Sequence, residues 1–437
     1  MTQFIGQPVR GTIPPFPTGA SPAGPPTGGP PTAGPPTDRR PGAGRAAWHR
    51  HTSALPLAYL GGLVLVGLAH PALPAWRWLA VHLLLLGAVT NAIVVWSAHF
   101  TSAVLRVPPP RSRHGEAARL VGLNLGIVAV LAGGGGGLPW LGVAGAAAVF
   151  AAVASHLGWL VARLRAALPA RFRVTVGYYL AASLALLCGI PVGAWMLVVD
   201  DAARPRLLLF HAHVNLLGWV VLTVLGTVLT LWPTVLRTRM VDGAVRAARL
   251  ALPVAAAGLV LLGAGLLAWW LPLAVAGVAG SAAAVVVVGV PAVRTARSRP
   301  PSSFAAWSIA AAGGWLLVAL AVDAWTLLAA GGDPAVAADR FGAVLVPLLA
   351  GFAAQVLVGA LSYLLPMALG GGPAAVRQRL ALLDRNWAQR VTMANAALAG
   401  FVLPVPPYVR ITTSLLVLAA LVQFLVPAVR VLLAARR

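Results

Sequence analysis

The sequence predicts an all-α polytopic membrane helix bundle of about twelve transmembrane helices, with both termini cytoplasmic. Over 437 residues, 59% are hydrophobic, only 9% are charged and the mean hydropathy is +0.86, a composition no water-soluble domain of this size carries. Apolar runs of about 20 residues, the length that crosses a bilayer, follow one another with short polar gaps between them. The 32 basic residues are all arginine and crowd into every second gap. The net charge of +23 is therefore orientation charge, not a nucleic-acid-binding stripe, and the expected partner is the lipid bilayer. The one cysteine, Cys188, lies in an apolar run, so disulfide frameworks and thiolate metal clusters are excluded; it reads as a small buried residue.

Residues 1–46 form a run of Pro, Gly, Thr and Ala without apolar periodicity, expected to be a disordered cytoplasmic tail partly in polyproline conformation. No signal peptide is expected, because the first apolar stretch starts only near Ser53. Residues 47–437 then make the transmembrane domain. Its first six spans are expected at about 53–70, 76–104, 116–132, 139–164, 174–199 and 207–235. The second six fall at about 249–269, 271–293, 303–330, 341–368, 387–403 and 411–433, the turn at Trp269-Trp270-Leu271-Pro272 dividing the seventh from the eighth. The arginines check this count: only Arg77, Arg204, Arg206, Arg340 and Arg410 fall on the side opposite the N-terminus. The other 27 lie on the side of both termini, which is the cytoplasmic side by the positive-inside rule, in a bacterial plasma membrane. The two halves show no internal repeat.

The segment Leu207 to Arg239, LLLFHAHVNLLGWVVLTVLGTVLTLWPTVLRTR, carries the strongest functional signal. His211, His213 and Asn215 sit near its start, where polar side chains cost several kcal/mol unless they are paired or used. At about 100° per residue, His211, Asn215 and Gly218 share a face, while His213 points about 200° away. Two histidines so placed cannot close on one metal ion, but they can serve two sites on opposite sides of the helix. In WRWLAVHLLLLGAVTNAIVVWSAHF, His82 lies about 9 Å from the outer end, level with His211 and His213. His99 is roughly 25 Å deeper along the same helix and cannot share that site. His99 and His156 fall near the cytoplasmic boundary, where hydrogen bonding to a carbonyl or water is expected. Imidazole suits haem iron and copper, so the outer trio His82, His211 and His213, with Asn215 beside it, is the candidate cofactor or metal site. Gly218 would let a flat ring or another helix approach. Asp323 is the one acid well inside a span and is expected to be partnered, whereas Asn91, Gln355 and Asn395 read as interhelical hydrogen-bonding residues. The single glutamate, Glu116, excludes paired-glutamate chemistry, and no nucleotide-binding or hydrolase motif occurs.

HAHVNLLGWVVLTVLGTVLTLWPTVLRTR, with VHLLLLGAVTNAIVVWSAHF before it, resembles the membrane part of some actinobacterial copper-oxidase or copper-nitrite-reductase-like proteins. More distantly it is similar to the twelve-span haem-copper oxidase subunit I and NnrS-type proteins. The resemblance implies that His213 and His82 are axial ligands of one haem and that His211 faces a second site. It also implies a redox partner protein or cupredoxin. No adjacent His-His pair occurs, so the copper half of an oxygen-reducing centre is not implied. The expected function is haem or copper binding in electron transfer or nitrogen-oxide metabolism. The alternative is a cofactor-free transporter or assembly factor whose histidines are structural or contact substrate. Neither requires that the chain be an enzyme.

Overall fold

Apolar runs of the expected lengths become helices because backbone groups inside a bilayer must find their partners within their own segment. The computed structural model describes residues 43–108, 112–199 and 202–435, and the expectation of a disordered tail falls almost wholly outside them. The helices in chain order are α1 (Ala43–Ala69), α2 (Trp76–Val104), α3 (His114–Gly135), α4 (Pro139–Ala166) and α5 (Arg173–Val198), then α6 (Arg204–Val235) and α7 (Ala244–Ala268). They continue as α8 (Leu271–Ser298), α9 (Phe304–Ala329), α10 (Pro334–Leu369), α11 (Gly372–Asp384), α12 (Trp387–Val402) and α13 (Pro407–Ala434). No strand occurs among the described residues. The chain is an all-α, multi-pass membrane protein.

Eleven of these helices are long and apolar enough to cross a membrane. The eleventh expected span, 387–403, becomes α12, whose 16 residues reach about 24 Å, short of a full bilayer. Before it lies α11, a short arginine-bearing helix that the periodicity did not predict. Asp384, at its end, accepts a hydrogen bond from the Phe304 backbone N–H (2.9 Å) and so fixes α11 to the start of α9. Helix α1 also begins earlier than expected, at Ala43, inside the last residues assigned to the tail. The Trp269-Trp270 turn is as expected: Trp269 takes a left-handed conformation (φ 52°) and the Trp270 N–H closes α7 on the Gly265 carbonyl. Cys188 is exposed on α5 instead of buried.

Exposed Trp140, Trp195, Trp270, Trp325 and Tyr408 all lie at the arginine-poor ends of their helices. That is an interfacial aromatic belt at what we call the outer end. Reporter fusions after Arg173, Arg239 and Arg299 are expected to read cytoplasmic, and fusions near Gly136 and Asp333 external; two adjacent gaps on one side would break the topology.

With little hydrophobic drive inside lipid, close packing holds the helices together. A methyl group on Gly126 of α3 would come 2.8 Å from the Gly145 carbonyl oxygen of α4. One on Gly258 of α7 would come 2.9 Å from both the Gly277 carbonyl oxygen and the Ser281 nitrogen of α8. Backbone cannot yield as a side chain does, so Gly258→Leu is expected to separate α7 from α8 and cost about 1–3 kcal/mol, read as a lower melting temperature in detergent.

The structure reveals a threefold repeat where comparison of halves shows none. Helices α2, α6 and α10 each contain a π-helical stretch, at Leu83–Val89, Val214–Val221 and Pro347–Ala354. Within these, Gly87, Gly218 and Gly351 press against Tyr59 of α1, Ala185 of α5 and Trp315 of α9. One turn on in α2 and α10, Asn91 bonds Asn124 of α3 (2.8 and 3.1 Å), and Gln355 bonds Asn395 of α12 (3.0 and 3.1 Å). Tyr59 and Trp315 also bond those same asparagines. The middle repeat is apolar there, with Leu222 and Leu259. At the same intervals Arg106, Arg237 and Gly370 adopt positive φ beyond the three helices. At these intervals too, His82 and His213 occupy one position of the repeat, and Val346 is its third occupant.

Candidate outer-end histidine site

Each π-helical stretch begins one residue after that shared position, so the wider turns start directly below His82 and His213. Such turns recur at functional sites because they re-aim the side chains around them. The two histidines share one local bond: His82 Nδ1–H donates to the Trp78 carbonyl (2.8 Å) and His213 Nδ1–H to the Leu209 carbonyl (2.7 Å), each four residues back. Beyond that bond their surroundings differ.

His213 is buried on α6 and its Nε2 lies 2.9 and 3.0 Å from the two carboxylate oxygens of Asp323 on α9. Its ring lies 4.8 Å from that of Phe341, which helps keep water from the pair. Asp323 is therefore partnered, as expected, and Thr326 closes on its backbone carbonyl (2.9 Å). With Nδ1 on a carbonyl and Nε2 on a carboxyl group, the pair must hold at least one proton between them, as imidazolium with carboxylate or as imidazole with carboxylic acid. Both nitrogens of His213 are thus engaged. The pairing implied by the resemblance, His82 with His213 across one iron, would require His213 to abandon Asp323.

His82 instead interacts electrostatically with His211. The His82 ring stacks on Trp78 at 3.9 Å, and among the described residues its Nε2 meets no hydrogen-bonding partner. His211 turns to α5, where Nδ1–H donates to the Gly189 carbonyl (2.9 Å), while Asn215 of its own helix places Nδ2 3.3 and 3.2 Å from the two ring nitrogens. This seat depends on the GIPVG segment of α5. A methyl on Gly193 would strike the His211 ring at 2.5 Å from Cε1, and one on Gly189 would strike the Asn215 side chain. Asn215 Oδ1 is left buried without a partner. His211 and His213 accordingly serve different sides of α6, one turned to α5, the other to α9, as their angular separation required.

Neither a protein-family model nor a curated protein matches the chain. Its site must be judged on its own chemistry.

The remaining sequence candidates lie elsewhere. Asn91 bonds the Gly87 carbonyl and Asn124 inside the first repeat. His99 packs edge-on against His49 and Trp96 at the inner end of the bundle. His156 is buried, with Nε2 on Ser97 Oγ (2.9 Å) and Nδ1 facing Arg119 (3.5 Å). Gly218 admits α5 and α7, through Ala185 and Leu259, and not a flat ring. Sequence reasoning passed over Gly189, Gly193 and Asn124. The Gly-x-x-x-Gly spacing of the first two and the lone asparagine of the third span were the available signals. No group of three or more His, Cys, Asp or Glu residues suited to a metal ion occurs among the described residues.

Proposed function

We propose that this chain is a bacterial plasma-membrane protein that holds haem, or copper in its place, at the outer end between His82 and His211, serving electron transfer or nitrogen-oxide metabolism. The supporting observation is the donor set. A ligating histidine as a rule gives its second N–H to a carbonyl or carboxylate, which fixes the tautomer and leaves the other nitrogen as a lone-pair donor. His82 and His211 both do this through Nδ1, towards Trp78 and Gly189. Among the described residues His82 Nε2 is unclaimed, and His211 Nε2 has only Asn215 Nδ2 near it, at 3.2 Å, an amide that lies 3.3 Å from Nδ1 as well. When bound, such a group supplies one-electron chemistry. The chain's residues set its surroundings: Trp78 and the α5 glycines fix the two rings, and His213 with Asp323 holds a proton on the far side of α6. The outer position suits exchange with a redox partner protein or cupredoxin.

Protein purified after expression with adequate haem is expected to show a Soret band with the spectrum of six-coordinate, bis-imidazole iron. Copper would instead register by metal analysis at one equivalent. Colourless, metal-free protein would sink this reading. It would leave the transporter or assembly-factor alternative, which the buried His213–Asp323 pair favours, because intramembrane acid and imidazole groups of this kind carry protons in transporters.

A further inference from the structure

At the opposite end of the bundle, α1, α2 and α3 enclose a cavity of about 240 Å³. Its wall carries Arg113, Arg119 and Glu116 of α3, with His49 and His99 opposite. The charges do not balance. Arg113 pairs with Glu116 (3.4 Å) while its guanidinium lies over the Trp48 ring, 5.0 Å from the centroid. Arg119 has only neutral hydrogen-bond partners, Ser155 Oγ (3.4 Å) and His156 Nδ1 (3.5 Å). His156 is kept a neutral acceptor there because its Nε2–H is given to Ser97. Among the described residues, two half-buried guanidinium groups thus share one carboxylate at a depth where surplus charge is costly. The first turn of α3 borders the same cavity with the positive end of its dipole; Ser112 Oγ accepts from the His114 N–H (3.2 Å) and Glu116 lies in that turn, so the net charge there rests on the two guanidinium groups.

We propose that this inner cavity binds a phosphate-bearing anion of single negative charge, held by Arg119 and Arg113 over the start of α3. Guanidinium groups grip phosphate oxygens through paired N–H donors, and one added negative charge neutralises the cavity. The volume admits a phosphoglycerol-sized group. Two sources share this chemistry: the headgroup of an anionic lipid of the adjoining leaflet, and a soluble phosphate. The cavity lies roughly 25 Å from His82, by the separation of His82 from His99 along α2, so the site stands or falls independently of the cofactor reading.

The test uses the full chain in a neutral detergent, stripped of lipid, with binding followed by native mass spectrometry and by melting temperature. The probes are phosphatidylglycerol, zwitterionic phosphatidylcholine, glycerol 3-phosphate and inorganic phosphate. Saturable binding is expected for at least one of the three phosphate-bearing anions and not for phosphatidylcholine, with phosphatidylglycerol, a monoanionic diester, matching the single charge best. It should weaken tenfold or more in Arg119→Gln, and by less in Arg119→Lys, which keeps the charge and guards against a merely unfolded variant. Phosphatidylglycerol binding that inorganic phosphate and glycerol 3-phosphate cannot displace identifies a lipid; displacement by either, with the same Arg119 dependence, identifies a soluble ligand. If no anion outbinds phosphatidylcholine, or if Arg119→Gln binds as the unaltered protein does, the cavity is not an anion site.

Discussion

Asp323→Ala is expected to lower folding stability by about 3–5 kcal/mol, the range observed when one partner of a buried ion pair is removed. The cause is what stays behind. His213 Nε2 lies in a buried pocket beside Phe341, and without the carboxyl group it has neither a partner nor water to replace it. Asp323→Asn should cost much less, since the amide N–H can donate to the neutral imidazole. Replacing both residues, as in His213→Phe with Asp323→Leu, should restore much of the loss, because exchanging a buried polar pair for packed apolar groups is close to neutral. Thermal or denaturant melts in detergent read these proteins together with the single His213→Phe and Asp323→Leu variants, and the double replacement must fall well short of the sum of those two single effects. Should Asp323→Ala melt with the unaltered protein, the contact between α6 and α9 does not anchor the bundle.

His82→Ala and His211→Ala are each expected to abolish the six-coordinate haem spectrum, or to convert it to a five-coordinate one. The double substitution should add little, because two residues serving one ligand set are not additive. His213→Ala should weaken the protein yet keep the spectrum, since both nitrogens of His213 already serve other partners. His99→Ala should be silent, lying about 25 Å deeper along α2. Gly193→Leu should act like His211→Ala by driving the ring from its seat. The contrary pattern, in which His213→Ala erases the spectrum and His211→Ala spares it, would restore the pairing implied by the resemblance to haem-copper oxidases. Both substitutions are read by the same titration of haem into purified protein, so the two pairings are separated in one experiment.

Eleven of the twelve expected spans and their order were legible in the sequence, because bilayer thickness and the cost of exposed backbone act on each segment alone. The 100° step of the helix likewise settled that His211 and His213 look to different sides, and the rarity of acids inside spans marked Asp323. Which neighbour each histidine meets was decided only by the tertiary structure. Asp323 lies 110 residues from His213, and its approach depends on how α9 docks against α6, which no local pattern encodes. The repeat was hidden for a related reason. Its three copies share one glycine and one backbone geometry, while the side chains around them differ: Tyr59 and Asn124, Ala185 and Leu259, Trp315 and Asn395. Helix crossing needs only the small residue and the wider turn, so packing shows a symmetry that residue identity does not. The short α12 and the unforeseen α11 have the same origin: apolar content permits a span, but contacts with neighbouring helices, such as the Asp384 cap on α9, decide where the chain turns.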